Sequence, residues 1–290
     1  MLAGVSVERE LEAKVSALAI DKPPHLSALG ERSAWIHDAK GWREEPLPPA
    51  IASAGAAELD VFYGRDYRIR VVGFQRAASR RASIYLRWLP GGFRAAPDEL
   101  GRLGTSAEGG LLALLGTADP EIVCRFDDQC LVKRLSGWSK ASAPPALSCL
   151  AIADQVGWAV SGQQLLKLGR DWTSEGPPGM WASADALFVV GKRAFVIETA
   201  RGILHVYEGG AWRAEPVPIS APRALFAVSA DALWLAGDGG LARFDGGVWH
   251  QVREVPGPLS AVVGRADQPI WAGGAQGLFR VSLSAGGAAR

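Results

Sequence analysis

The chain has 290 residues, of which 48% are hydrophobic and 21% charged, and its formal net charge is +1. This balance excludes an intrinsically disordered chain, and the length is sufficient to bury a sizeable core. A net charge so close to zero provides no global field that would select nucleic acid or an anionic membrane as a partner. No stretch reaches the roughly 18 consecutive apolar residues that a membrane-spanning helix needs.

The first twenty residues contain charges where a signal peptide would need an unbroken apolar stretch, which predicts a cytoplasmic protein as the chain is written. If a signal peptide has been removed, the domain is periplasmic or extracellular instead. The segment has two structural alternatives. One is a strand within residues 5–20, and the other is a short helix over residues 8–19 in which Leu11, Val15 and Leu18 share a face.

From residue 22 onward, short apolar runs alternate with turns rich in glycine and proline, which predicts short strands. A small apolar opening motif, interpreted as a first strand, recurs at residues 26–29, 147–150 and 259–262. Aromatic residues close the segments: Trp42, Phe93, Trp138, Trp172, Trp212 and Trp249. These two markers divide the chain into seven units, at approximately residues 22–50, 56–98, 103–143, 147–176, 180–218, 223–256 and 259–285.

The last two units show the repeat most clearly, as ALWLAGDGGLARFDGGVW at residues 232–249 and PIWAGGAQGLFRVS at residues 269–282. Their alignment places Trp234 on Trp271, an offset of 37 residues. A repeat of about 40 residues with four short strands is typical of a β-propeller blade. Small residues allow close approach of the inner strands, and Trp fills the space between neighbouring sheets.

The seventh unit ends after VSLS without a fourth strand of its own. We therefore predict an all-β fold, a single seven-bladed β-propeller of four-stranded blades over residues 1–290. An N-terminal strand within residues 5–20 would complete the last blade. Such closure would remove the two exposed sheet edges that an open propeller would present.

The pattern W-x-x-G-x-x-G, followed by D-G-x-x-W, spans residues 234–249. It resembles the bacterial β-propeller repeats of the photosystem-assembly-factor-like and two-component-regulator-propeller-like kinds. The resemblance implies a propeller that acts most often as a binding platform and in some members as an enzyme. The second and third units depart from this pattern, and the Gly-His and Trp-Asp dipeptides of the WD repeat are absent, so no subfamily is identified.

The second unit carries the one strong charge asymmetry of the chain. Tyrosine, phenylalanine and tryptophan residues are interleaved with its arginines, and Asp66 is the only acid between the first and last of them. These candidate partner-binding residues are Arg65, Arg68, Arg70, Arg76, Arg80, Arg81 and Arg87. Three interpretations stay open: a solvated outer face, a contact with another, acidic protein, and a contact with nucleic acid, which is the least favoured.

Cys124 and Cys130 flank the sequence RFDDQ and are expected to face each other across a hairpin, either as a disulfide or as two reduced thiols. The four His residues have no metal-ligand spacing, and no nucleophile elbow or phosphate loop is present. The sequence therefore predicts no metal, no cofactor and no catalytic residues. Carboxylates gathered from several units would leave no local motif, so this prediction rests on sequence patterns alone.

Two functions follow from these observations. The first is a non-enzymatic protein–protein interaction scaffold, or an assembly or adaptor factor, whose long loops and arginines contact another protein. The alternative is a glycan-binding or glycan-processing propeller, in which Trp88 or Trp181 would be a sugar platform beside two carboxylates. The alternative requires such a Trp to be exposed.

Overall fold

The computed structural model describes residues 5–20, 25–49, 57–63, 69–77, 80–89, 91–95, 111–115, 121–125, 129–134, 137–142, 144–153, 156–265 and 268–283. Within these ranges the chain forms 28 β-strands and one short 3₁₀ turn, Thr199–Arg201. The chain divides into two compact units. Unit A comprises Met1–Leu18 and Trp181–Arg290, and unit B comprises Ala19–Met180.

Four four-stranded sheets lie mainly in unit B. The first sheet contains β2 (Ala17–Ile20), β3 (Leu26–Leu29), β4 (Ser33–Asp38) and β5 (Gly41–Pro46). The second contains β6 (Ala57–Tyr63), β7 (Ile69–Ala77), β8 (Arg80–Leu89) and β9 (Gly92–Ala95). The third contains β10 (Leu111–Leu115), β11 (Glu121–Arg125), β12 (Gln129–Arg134) and β13 (Gly137–Ser142). The fourth contains β14 (Leu147–Ala153), β15 (Val156–Ser161), β16 (Gln164–Leu168) and β17 (Trp172–Ser174).

Three further four-stranded sheets lie in unit A. The fifth contains β18 (Ala186–Val190), β19 (Arg193–Glu198), β20 (Ile203–Glu208) and β21 (Ala211–Pro216). The sixth contains β22 (Pro222–Ser229), β23 (Ala232–Gly237), β24 (Gly240–Phe244) and β25 (Trp249–Val252). The seventh contains β26 (Leu259–Val263), β27 (Ile270–Gly274), β28 (Gly277–Leu283) and β1 (Val5–Leu11). The described residues thus form seven four-stranded sheets, and the all-β prediction is confirmed.

The first strand of the chain completes the last sheet. β1 pairs antiparallel with β28, from Val5 opposite Leu283 to Leu11 opposite Leu278. Val5 and Val7 pack against the apolar core of the seventh sheet, while Ser6 and Glu8 between and after them are exposed. This period of two is that of a strand with one covered face. The N-terminal strand is therefore confirmed, and the alternative of a helix over residues 8–19 is wrong.

The first sheet begins earlier than the sequence markers suggested. β2, at Ala17–Ile20, is its first strand, and the opening motif at Leu26–Leu29 forms its second strand. In the fourth and seventh sheets the equivalent motif does form the first strand. A run of four small or apolar residues fits either inner position, because both inner strands are buried, so composition alone does not separate them.

The continuous apolar sequence of β23 follows from burial on both faces. Leu233 and Leu235 belong to a core shared with the fifth sheet, whereas Trp234 and Ala236 belong to a core shared with the seventh. The sixth sheet is therefore packed face to face between two neighbours within unit A, which is the packing of propeller blades. Such a strand shows no alternation of apolar and polar residues.

The two glycines of the repeat have separate structural roles. A Cβ atom on Gly237 would lie 2.5 Å from the carbonyl oxygen of Ala221, and one on Gly274 would collide with that of Pro258. The first glycine therefore allows the incoming chain to pass close to the end of the second strand. Gly240, like Gly277 in the seventh sheet, has a positive φ that favours glycine at the turn into the third strand.

Candidate functional site

The second sheet brings five arginines into register on adjacent strands. Arg70 on β7 lies opposite Arg87 on β8, which in turn lies opposite Arg94 on β9. Arg76 on β7 lies opposite Arg81 on β8. Residues directly opposite in an antiparallel sheet, and residues an even number apart along a strand, share a face. The register therefore places all five arginines on one face, called here the arginine face.

The remaining arginines predicted for this region are placed differently. Arg80 lies opposite Ala77, one residue from Arg81, and is therefore on the other face of the sheet. Arg65 and Arg68 lie outside the described residues. For Arg70, Arg76, Arg80, Arg81 and Arg87 the structure describes the backbone and the strand pairing, and the side chains lie outside the description.

The face opposite the arginine face is buried. It carries Val61, which is 3% exposed, Phe93, which is 8% exposed, and the half-buried Trp88. The first sheet covers this side, because β3 lies beside β6 and β5 lies beside β9. On the arginine face, by contrast, Arg94 is exposed to solvent. The third sheet also lies next to the second, because its inner strand β10 is close to β6 and β7.

The charge on the arginine face is unevenly distributed. The acids within its four strands are Glu58 and Asp60, both on the inner strand β6, where they lie opposite Phe74 and Val72. On this face the outer strands β8 and β9 contain three arginines, Arg81, Arg87 and Arg94, and no acid. Like charges opposite each other on neighbouring strands destabilise a sheet unless they are neutralised. The outer strands of this face therefore contribute arginines alone.

The first sheet supports the second through Arg43 of β5. The Arg43 guanidinium lies 5.3 Å from the ring centre of Trp88, a cation–π geometry. It is held there by Glu45, whose Oε1 is 2.8 Å from Nε, and by Asp38, whose Oδ2 is 3.4 Å from Nη1. Trp88, one of the two predicted sugar platforms, is thus half-buried with Arg43 across its ring.

Trp181, the other predicted sugar platform, is 1% exposed. Its ring centre lies 4.7 Å from that of Trp212 and 5.6 Å from that of His205, both at edge-to-face angles. The ring therefore fills the interior of unit A and offers no face to a ligand. The prediction that Trp181 is a sugar platform is wrong, because an indole side chain is mostly apolar and packs readily in a core.

Beneath Trp181 lies a buried polar network centred on Glu198. His205 donates from Nε2 to Oε2 of Glu198 at 2.9 Å, and the backbone amide of Ala182 donates to Oε1 at 3.2 Å. Burial alone would raise the pKa of Glu198, but these hydrogen bonds and the nearby charge of Arg201 outweigh it, and the pKa is lowered. The network fastens the segment before β18 to β19 and β20.

The closing aromatics lie in the fourth strands of their sheets: Trp42 in β5, Phe93 in β9, Trp138 in β13, Trp172 in β17, Trp212 in β21 and Trp249 in β25. Three of them contact an aromatic residue of the preceding strand. The ring-centre distances are 4.9 Å to His37 for Trp42, 5.1 Å to Tyr207 for Trp212 and 5.3 Å to Phe244 for Trp249. The side chain of Trp138 lies outside the description. In these three sheets the closing tryptophan thus packs the fourth strand against the third.

Next to several closing aromatics is a contact between an acidic and a basic side chain that the sequence reasoning missed. In each case an acid pairs with a base five residues later, across the hairpin between the third and fourth strands: Asp38 with Arg43, Glu208 with Arg213, and Asp245 with His250. In the last hairpin the Val248 amide, the strongest influence, and His250 both donate to Asp245 and lower its pKa. The constant spacing of five residues between the acidic and the basic residue was the sequence pattern that could have predicted these contacts.

A second recurrent contact joins the second and third strands. A cation lies over a tryptophan directly opposite it: Lys167 over Trp158 at 5.1 Å, Arg243 over Trp234 at 5.9 Å, and Arg280 over Trp271 at 6.0 Å. The spacing of nine residues is the same in all three sheets. These cations therefore complete the packing of the sheets.

Cys124 and Cys130 lie directly opposite each other on β11 and β12. Opposed residues of an antiparallel pair have Cα atoms about 4.5–5.5 Å apart, within the range of disulfides. Their side chains lie outside the description, and the disulfide stays a prediction. Cys149 is buried.

The described residues contain no group of three or more His, Cys, Asp or Glu residues arranged to hold a metal ion. They also contain no helix with the length and hydropathy of a membrane span.

No known protein family and no curated protein sequence matches the chain. Solved structures do match over nearly its whole length. A streptogramin B lyase matches with a TM-score of 0.70 and 12% identity, covering 97% of this chain and 98% of that one. BBS1N, in complex with ARL6DN, matches with a TM-score of 0.66 and 13% identity, covering 97% and 95%. The WD40 β-propeller domain of Doa1 matches with a TM-score of 0.62 and 10% identity, covering 95% and 94%. The chain therefore has a β-propeller fold, and at these identities the likeness shows the fold alone.

Proposed function

We propose that this β-propeller is a non-enzymatic scaffold that binds another protein. The observation that carries the proposal is the second sheet, which has one buried face and, on the other, five arginines in register. Outer strands that contribute arginines and no acid to that face fit a partner of opposite charge. One structural neighbour, BBS1N, is itself in complex with a protein, so this fold is compatible with that role.

The glycan alternative has less support. It requires an exposed tryptophan, but Trp181 is buried and the ring of Trp88 carries Arg43. Carboxylates are also scarce on the first strands in the described residues. Among β2, β6, β10, β14, β18, β22 and β26, only β6 contains acids, Glu58 and Asp60. A glycosidase needs two carboxylates flanking the bond that it cleaves.

The test begins with affinity purification of the tagged full chain from the organism that encodes it. The co-purifying protein is identified, produced separately and mixed with the pure chain, and binding is measured by calorimetry. We expect a binary complex to form from these two components. The same pure chain is applied to a glycan array, with Trp88→Ala as the matched variant.

The outcomes separate the two functions. A complex with defined stoichiometry supports the scaffold. Failure of every co-purifying protein to bind the pure chain, together with array binding that Trp88→Ala abolishes, would replace the scaffold with the glycan function. Because one neighbour is a lyase, turnover of an array glycan by the pure chain would overturn the non-enzymatic part of the proposal.

A further inference from the structure

β1 occupies a site on the seventh sheet that the rest of that sheet forms without it. Among the described strands β1 has one neighbour, β28, and it lies at the edge of the sheet. Strands β26, β27 and β28 each contribute buried residues to the core shared with the sixth sheet, among them Leu259, Ile270 and Phe279. Removal of β1 therefore breaks one strand pairing and leaves the buried residues that position β28 in place.

The edge of β28 contacts side chains on both faces of β1. Val5 and Val7 pack against the apolar core on one face. Arg280 lies opposite Glu8 on the other face, where its Nη1 is 3.7 Å from Oε2 of Glu8 and 3.9 Å from Oε1 of Glu10. The site therefore fits an extended segment that has valines at alternate positions and glutamates after them.

A short connection joins β1 to a residue that is anchored on the same sheet. Residues 12–14 separate β1 from Val15, and the first and last of them are exposed. The amide of Val15 donates to the carbonyl oxygen of Gly274 at 2.9 Å, and the Val15 side chain is fully buried. If β1 opens, the opening would therefore end at Val15, and β2 would keep its place.

We propose that the edge of β28 is an exchangeable strand-binding site, and that β1 of a second copy of this chain can occupy it. The two copies of β1 have the same sequence, so every contact that β1 makes within one chain is also available between two chains. Two copies that exchange β1 reciprocally form a closed symmetric dimer, because each gives one strand and receives one. This inference does not depend on the proposed scaffold function.

The connection decides how often the exchange occurs. A short tether gives the chain's own β1 an effective concentration of the order of 1 mM at the site. The closed monomer therefore predominates at micromolar protein concentrations. The exchanged dimer accumulates when β1 is released at high protein concentration, for example by partial melting followed by cooling.

Ser6 and Ser282 lie directly opposite each other on β1 and β28, so cysteines at these positions report the exchange. One full chain carries Ser6→Cys and another carries Ser282→Cys. The two are mixed at about 1 mM, comparable with the effective concentration of the tethered strand, warmed to the onset of melting, cooled and oxidised. We expect a covalent dimer, and peptide mapping should find the link between the two introduced cysteines.

Two controls define what the covalent dimer means. Glu8→Cys replaces Ser6→Cys two residues out of register with Ser282, and it should give at least about tenfold less dimer, because diagonal neighbours exceed the reach of a disulfide. A single chain with both Ser6→Cys and Ser282→Cys should instead link β1 to its own β28. After oxidation this chain should stay monomeric through the same treatment, as measured by light scattering.

A fluorescent peptide with the sequence of residues 4–12 tests the site directly. Val7→Asp in the full chain places a charge against the apolar core and should release the chain's own β1. Anisotropy should show the peptide binding to this variant at least about tenfold more tightly than to the wild type, where the tethered β1 competes. A peptide with aspartate in place of both valines should not bind. Circular dichroism establishes that the variant is folded, and the cysteine experiment does not use it.

Any of three results would contradict the inference. If the doubly substituted chain forms its internal disulfide but the mixed chains give no covalent dimer, β1 does not leave its site for that of a second copy. Equal dimer yields from Glu8→Cys and Ser6→Cys would indicate random encounter and not strand pairing. Equal binding of the two peptides would place their binding site on another surface.

Discussion

Arg193 of β19 connects two sheets of unit A, and its replacement by methionine tests how much this connection contributes. Nε of Arg193 lies 2.6 Å from Oε1 of Glu208 in its own sheet. Nη1 lies 2.6 Å from Oδ1 of Asp231 and 2.8 Å from the carbonyl oxygen of Ala230, both in the turn between β22 and β23. Hydrogen bonds to Asp231 and Glu208 raise the pKa of Arg193. A single guanidinium therefore joins the fifth sheet to the sixth.

The magnitude follows from the exposure of the partners. The Arg193 side chain is 21% exposed, but those of Glu208 and Asp231 are 41% and 69% exposed, so solvent screens both ion pairs. Exposed ion pairs contribute about 0.2–1 kcal/mol, and a charged donor on a shielded carbonyl contributes about 1.5 kcal/mol. Arg193→Met should therefore lower the free energy of unfolding by about 2 kcal/mol, and the Tm by roughly 3 °C.

The assay is calorimetric melting of the wild type, Arg193→Met and a control, Arg223→Met. Arg223 makes two hydrogen bonds to Asp238, at 2.9 and 3.0 Å, but that pair is exposed and lies within the sixth sheet. We expect the control to melt close to the wild type. If both variants lower the Tm equally, or if Arg193→Met lowers it by less than about 1 °C, the connection between the sheets does not stabilise the fold as argued.

Further predictions concern the buried acid, the repeat glycine and the cysteines. The pKa of Glu198 is lowered in the folded protein. The ionised carboxylate therefore stabilises the fold above its ordinary pKa of 4.5, and this stabilisation is lost as the pH falls below 4.5. Glu198→Gln should therefore destabilise the protein at pH 7 and reduce the loss of Tm between pH 5 and pH 3. Gly237→Ala should lower the free energy of unfolding by about 2–3 kcal/mol through collision with backbone, whereas Gly247→Ala, which meets nothing within 4 Å, should be nearly neutral. Peptide mapping without reductant, after purification under oxidising conditions, should recover Cys124 and Cys130 in one linked peptide.

Each of these has a result that would contradict it. An unchanged Tm profile in Glu198→Gln would mean that the buried carboxylate contributes nothing to acid stability. Equal melting of Gly237→Ala and Gly247→Ala would mean that the close approach at Gly237 relaxes without cost. Quantitative alkylation of both cysteines without reduction would show two thiols.

The repeat made the fold predictable, because its glycines, turns and aromatics are local signals. The closing strand could also be predicted from the missing fourth strand of the last unit. The burial of Trp181 could not be predicted from the sequence, because an isolated tryptophan is compatible both with a core and with a ligand-binding surface. Arg193 and Asp231 are 38 residues apart, and no local pattern links them.

The arginine-rich region was evident from composition, but its division between two faces was not. Arg80 and Arg81 are indistinguishable in the sequence, and only the register of β7 with β8 separates them. That register depends on where the hairpin turns, and a shift of one residue would exchange the faces.

The pairing of β1 with β28 also sets the order in which the chain can fold during synthesis. β1 leaves the ribosome before the other 27 described strands, but its partner emerges only after more than 260 further residues have been translated. Until β28 has been synthesised, β1 has no strand with which to pair. The strands of the other six described sheets are therefore all synthesised before the seventh sheet can be completed. Translation that stops before Gly277 would release a chain in which β1 and β27 both have open edges, and such edges are where chains associate.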